Sequence, residues 1–120
     1  FANADMVGHT GKYDAAMKAV EALDKCVALL VAKCAQENVT ILLTADHGNA
    51  DQMIYPDGSM HTAHSESDVP FCVIHPSLRD VPLTVNSAIK TRALKDVAPT
   101  VLEVLDIPQP KYFTGEPLFL

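Results

Sequence analysis

The stretch Thr40–Asp51, "TILLTADHGNAD", decides how the rest of the chain is read. An apolar run of strand length over 39–45 ends in a carboxylate and an imidazole side by side, Asp46 and His47, and then Gly48. A run without strict alternation suits a parallel strand covered on both faces. In open α/β sheets the reactive groups collect at the carboxyl ends of strands. The pattern therefore predicts a buried strand whose exit carries chemistry. The plainer alternative is turn chemistry, with Asp46 bonding backbone amides and Gly48 at positive φ.

Outward from this strand the periodicity changes. Over 14–37, Met17, Val20, Leu23, Val27, Leu30, Val31 and Cys34 fall on one helical stripe, with Lys18, Glu21, Lys25 and Lys33 elsewhere on the surface. Glu21 and Lys25 can pair at i,i+4, and Asn38 is a stop signal. Residues 49–68 are polar, with a bend at Pro56-Asp57-Gly58. Val69 to Ile74 form a second short strand closed by His75-Pro76, and Leu83–Val85 is a candidate edge strand. Asp96 can cap a helix to about Asp106, with Pro99 tolerated in its first turn and Leu94, Val97, Val101, Leu102 and Leu105 as its apolar face. This mixture predicts an α/β fold, a layered sheet with flanking helices. Two strands cannot bury both faces of a sheet, so the sheet is expected to be very small or incomplete within these residues.

A length of 120 residues corresponds to one domain at most. The net charge of −6 argues against a nucleic-acid partner, which favours a basic patch. No apolar run approaches the roughly 18 residues of a membrane helix, and the expected location is the cytoplasm. The chain opens on Phe1 without a signal pattern and is expected to be cut from a longer one. Cys26, Cys34 and Cys72 cannot all pair internally and are expected to be buried reduced thiols. Neither arginine, Arg79 nor Arg92, lies beside the histidine-rich stretches. An anionic substrate would then be held by metal ions, by Lys12 or by another piece of protein.

Three stretches concentrate metal-capable side chains: Asp5 with His9, Asp46 with His47, and His61 with His64. Each is weak alone, since His-x-x-His in a polar loop is ordinarily solvated. Together they fit one rim. Asp46 and His47 follow a strand, the His61–His64 loop lies between the two strands, and Asp5 and His9 precede the helix leading into the first strand. A thiolate-free O/N set suits Mn²⁺ or Zn²⁺ better than Mg²⁺ or Ca²⁺. Neighbours such as Asp46 and His47 point apart, which favours paired ions about 3.5–4 Å from one another, a spacing that clamps a transferring phosphoryl group.

In order, "NADMVGHTG" (3–11), "LLTADHGNAD" (42–51) and "HTAHSESDVPF" (61–71) resemble the carboxy-terminal part of the cofactor-independent phosphoglycerate mutases, metal enzymes of the alkaline phosphatase superfamily. The tail "LKDVAPTVLEVLDIPQPKYFTGEPL" (94–118) is similar to that family's closing helix and Thr-Gly turn. The resemblance implies an alkaline-phosphatase-like fold of which 1–120 is the carboxy-terminal segment of the metal-binding domain. It implies manganese as cofactor, two ions in the intact enzyme, with other divalent metals as alternatives. Asp5, His9 and His64 match the ligands of one ion, and Asp46 and His47 match ligands of the second. His61 is left as a neighbour of the ligand set or a substrate-facing group. The nucleophilic serine and the substrate-gripping domain lie outside the chain, and Ser59, Ser65 and Ser67 match no nucleophile motif. The implied activity is interconversion of 3- and 2-phosphoglycerate in glycolysis through a phosphoserine, with the remainder of the full-length chain as partner. The alternatives are another phosphomutase or hydrolase of the superfamily, such as a phosphopentomutase, and a non-catalytic metal-binding module.

Overall fold

A computed structural model describes residues 1–79 and 83–119, which divide into two compact units, Phe1–Pro76 and Ser77–Leu120. In the first unit a short helix α1 (Asn3–Gly8) leads into the long helix α2 (Tyr13–Gln36), and these are followed by strands β1 (Ile41–Thr44) and β2 (Phe71–Ile74). The second unit holds a 3-10 turn, Leu94–Asp96, running directly into helix α3 (Val97–Val104).

Helix α2 matches the expected span and stops where expected. Asn38 takes φ 55°, and the Val39 N–H reaches back to the Cys34 carbonyl at 2.9 Å, satisfying a carbonyl that the helix leaves free. Its covered line is narrower than the apolar stripe. Ala16 is buried and Ala19, Leu23, Val27, Val31 and Cys34 are half-buried, while Met17, Val20 and Leu30 stay exposed. The ion pair found along α2 is Lys33–Glu37, near its C-terminus.

The strands correct the expectation of a parallel, fully buried pair. β1 and β2 run antiparallel in register Ile41↔Ile74, Leu42↔Val73, Leu43↔Cys72 and Thr44↔Phe71, and form a two-stranded sheet among the described residues. Their side chains are mostly half-buried, because an apolar run reaches full burial only when both faces are covered. Antiparallel pairing has a direct consequence. The connection leaves β1 and re-enters β2 at the same edge, so residues 45–70 stay on one rim. That connection is itself ordered: Ser65 pairs with Gly48, Ile54 with Met60, and the Tyr55–Gly58 turn is closed by the Asp57 carboxylate accepting from the Ser59 N–H and hydroxyl.

In the second unit Asp96 occupies the position before α3, yet its carboxylate does not cap that helix. It accepts from the Ala93 N–H at 2.9 Å and the Glu116 N–H at 3.0 Å. Thr100, one turn on, donates to the Asp96 carbonyl and accepts from the Leu118 N–H. Asp96, Pro99 and Thr100 are therefore the buried face, whereas Leu94 and Leu105 are exposed, against the expected apolar stripe. The helix ends at Val104, with Asp106 at φ 53° and the Ile107 N–H bonded to the Leu102 carbonyl. In place of an edge strand over Leu83–Val85 there is a single bridge, Val85 to Phe119. The three thiols are free as expected, but Cys26 and Cys72 are exposed rather than buried.

Candidate metal centre

Asp5 and His9 are brought together by a helix that periodicity did not reveal. They stand four residues apart across the end of α1, where side chains at i and i+4 share a face. Asp5 Oδ1 lies 3.2 Å from His9 Nε2. The polar loop returning toward β2 brings His64 Nε2 to 3.5 Å from the same oxygen. One ligand atom from each of Asp5, His9 and His64 falls within 4.8 Å of the others, at a partly open surface.

The tautomer of His9 follows from its partner. His9 Nδ1 is 2.7 Å from the Thr62 carbonyl, which can only accept, so Nδ1 carries a proton. The Nε2 of neutral His9 then directs an electron pair at a carboxylate oxygen. Two electron-rich atoms facing one another at this distance call for a positive charge between or beside them. A second proton or a metal cation meets that need, and a backbone carbonyl on the far ring nitrogen is the usual device for holding an imidazole ready for a metal. The one-oxygen, two-nitrogen set fits a divalent cation of the first transition row, with positions left open for other ligands.

Asp46 and His47 leave β1 beside this cluster. The His47 ring stacks on His64 with centroids 3.6 Å apart and planes within 16°, while His64 and His9 are 5.0 Å apart and tilted. His47 Nδ1 donates to the Gly48 carbonyl at 3.3 Å, which leaves Nε2 its lone pair, 3.5 Å from Asp46 Oδ2. The Asp46 side chain is 87% exposed, so it is not the anchor of a turn. Nor does Gly48 adopt positive φ, which occurs at Gly11 and Gly58 instead. Gly48 is required for close approach: a Cβ there would stand 2.1 Å from the Ser65 hydroxyl and 2.7 Å from Asp51 Oδ1. Asp46 and His47 make a two-donor pair, and no group of three or more donors among the described residues includes them.

His61 is not one of the grouped donors. It is buried, packs edge-on against Tyr55 at 4.5 Å, and its Nδ1 has no hydrogen-bond partner.

Around the cluster lie supports that residue counting missed. The buried Asn49 donates from Nδ2 to Asp5 Oδ1 at 2.8 Å. Asp51 accepts from the Ser65 hydroxyl at 3.0 and 2.9 Å, tying the loop after β1 to the residue following His64. Hydrogen bonds from Ser67 above all, and then from Ser65, hold the Asp51 carboxyl below its ordinary value of 3.8 against the opposing effect of burial. The available signals were two polar residues closely following Asp46-His47, and serines directly after His64.

The chain is 47% identical to the 2,3-bisphosphoglycerate-independent phosphoglycerate mutases of Thermosynechococcus vestitus and Moorella thermoacetica, matching over all of its own length. It superposes with a TM-score of 0.85 on Leishmania mexicana phosphoglycerate mutase solved at low cobalt concentration, at 30% identity and again over its whole length. It spans less than a quarter of each of these proteins: 23%, 22% and 24%. A family model described as the metalloenzyme superfamily covers residues 1–109, and the chain belongs to that superfamily.

Proposed function

We propose that these residues form the metal-holding part of a longer phosphoglycerate mutase that interconverts 3- and 2-phosphoglycerate. The observation that carries this reading is the convergence of Asp5, His9 and His64, from separated motifs, on one point, with the His47 ring stacked against His64. Asp5, His9 and His64 would hold one divalent cation, manganese on this reading, and Asp46 and His47 would contribute to a second. When bound, such ions supply positive charge to phosphoryl oxygens and lower the pKa of a coordinated hydroxyl. The chain's own part is to bring these donors together, with the His9 ring held through Nδ1 by the Thr62 carbonyl and the His47 ring by the Gly48 carbonyl. The serine that carries the phosphoryl group between the two glycerate hydroxyls, and the cations that grip the substrate carboxylate, would come from the remainder of the protein, acting in the cytoplasm in glycolysis. This matches an acidic chain whose arginines, Arg79 and Arg92, lie outside the metal-capable motifs.

The test uses the full-length protein with 3-phosphoglycerate, 2-phosphoglycerate being detected through enolase. Turnover is expected, with Asp46→Ala lowering it at least about 10²–10³-fold while leaving the fold intact, as loss of a preorganised electrostatic contact does. Absence of 2-phosphoglycerate would rule out this mutase in favour of another phosphomutase or a hydrolase. Undiminished turnover in Asp46→Ala would remove that residue from the site.

A further inference from the structure

We propose that Asn49 is a positioning residue for the metal centre, aiming the Asp5 carboxylate at the two imidazoles, and that Gly8 exists to make room for it. The inference rests on the metal reading above and adds a residue that the ligand motifs leave without a role.

Asp5 sits on a six-residue helix and its side chain is 38% exposed, with His9 at the end of that helix as its near partner. The oxygen facing His9 and His64 is Oδ1. Asn49 Nδ2 donates to that same oxygen at 2.8 Å, and lies 3.5 Å from the Asp5 backbone carbonyl. The amide nitrogen must face the carboxylate, because the amide oxygen has no proton to offer. Asn49 is 7% exposed, so its N–H has little access to water as a substitute partner. Losing the contact would leave a buried donor unsatisfied as well as freeing the ligand. Asn49 also stands two residues beyond His47. A single hydrogen bond therefore couples the helix bearing Asp5 and His9 to the strand exit bearing Asp46 and His47.

Gly8 lies one turn along α1, and a Cβ placed there would come 2.1 Å from Asn49 Oδ1 and 2.9 Å from its Cγ. Any side chain at position 8 would push the Asn49 amide off Asp5. Gly8 and Asn49 are thus one device distributed over two motifs.

Outer partners that orient metal ligands typically change affinity about 10–100-fold when removed. Manganese titration of the metal-stripped full-length protein by calorimetry is the direct test, with fold followed by thermal melting in the same samples. Asn49→Ala is expected to weaken the Asp5 site by about 10–100-fold. Gly8→Ala should weaken it similarly, and should add almost nothing in an Asn49→Ala background, where the obstructed side chain is gone. A merely structural Asn49 would lower the melting temperature without this loss of affinity or this coupling. Should Asn49→Ala not fold, Gly8→Ala alone reads the same contact with the amide still present. Unchanged manganese affinity in a folded variant, or a Gly8→Ala effect independent of Asn49, would overturn the positioning role. Asp5→Ala separates the two levels. If it loses one ion while Asn49→Ala binds normally, only the positioning role fails; if it retains every ion, the metal reading fails and takes this inference with it.

Discussion

Gly48 has neighbours at distances no side chain tolerates, and the reason is the Ser65–Asp51 hydrogen bonds that run past it. Turn chemistry was the plainer alternative for a glycine after Asp-His, and close packing is what the structure uses it for. Asp51 itself yields a pH prediction. Its carboxyl is held below 3.8 by the hydroxyls of Ser67 and Ser65, so folding favours the ionised form. The stabilisation is complete above the unfolded value and is lost as the pH falls through the lower folded one. Asp51→Asn should therefore lower the melting temperature at pH 7, by less than about 1 kcal/mol in stability because this carboxylate is well exposed to screening water. The difference from the unaltered protein should shrink in melts taken below pH 3.8. A difference that persisted undiminished in strong acid would mean that the hydrogen bonds to the ionised carboxylate are not its source. Among the candidate site residues, Asp5, His9, His47 and His64 stood out by type and spacing. Asn49 did not, since an amide has no chemistry to advertise until its partner is known.

Helix ends show the opposite balance at the scale of elements. Asn38 and Asp106 both take the left-handed conformation and both are followed by a backbone bond reaching back over the last turn. Polar residues tolerate that conformation locally, which makes such stops visible without tertiary context. The start of α3 is different. Asp96 stands at the cap position, but its carboxylate serves the Ala93 and Glu116 N–H groups and is 1% exposed. Glu116 is twenty residues away, a partner no local pattern announces. Asp96→Ala should cost about 2–4 kcal/mol in urea unfolding, since two N–H groups lose a buried, charged acceptor. Asp96→Asn, which keeps one acceptor oxygen, should cost less. A cost near that of an exposed side chain would show that water reaches these groups. The tail glycine belongs to the same knot: a Cβ on Gly115 would meet the Lys95 carbonyl at 2.1 Å.

Across the whole molecule the buried hydrophobic core among the described residues is Ala16, Met53 and Leu118, whereas Leu29, Met6, Leu105 and Tyr112 are between 58% and 81% exposed. Apolar exposure of this extent is what burial against another piece of protein would relieve. The 120 residues expressed alone should therefore self-associate, eluting in size-exclusion chromatography at a mass that rises with concentration and binding a hydrophobic dye. A stable monomer that binds no dye would show that the exposed apolar side chains are tolerated in water. The α/β class and the family were legible in the order of the motifs, because periodicity and residue type survive without coordinates. The direction of β2 was not. An apolar run records that a strand is covered, not which way its neighbour runs, and the antiparallel return is what keeps residues 45–70 on the rim beside α1. Residue order alone carried the spans and stops of α2 and α3 and the set of side chains able to bind a cation, since these depend on neighbours within a few residues, whereas α1 escaped it. Long-range folding set the rest: ligand atoms of Asp5, His9 and His64 within 4.8 Å of one another, His47 stacked on His64, and Asn49 reaching Asp5. Apart from the Asp5–His9 pair, four residues apart across the end of α1, those distances depend on chain separations of 17 to 59 residues, which is too far for any local preference to act.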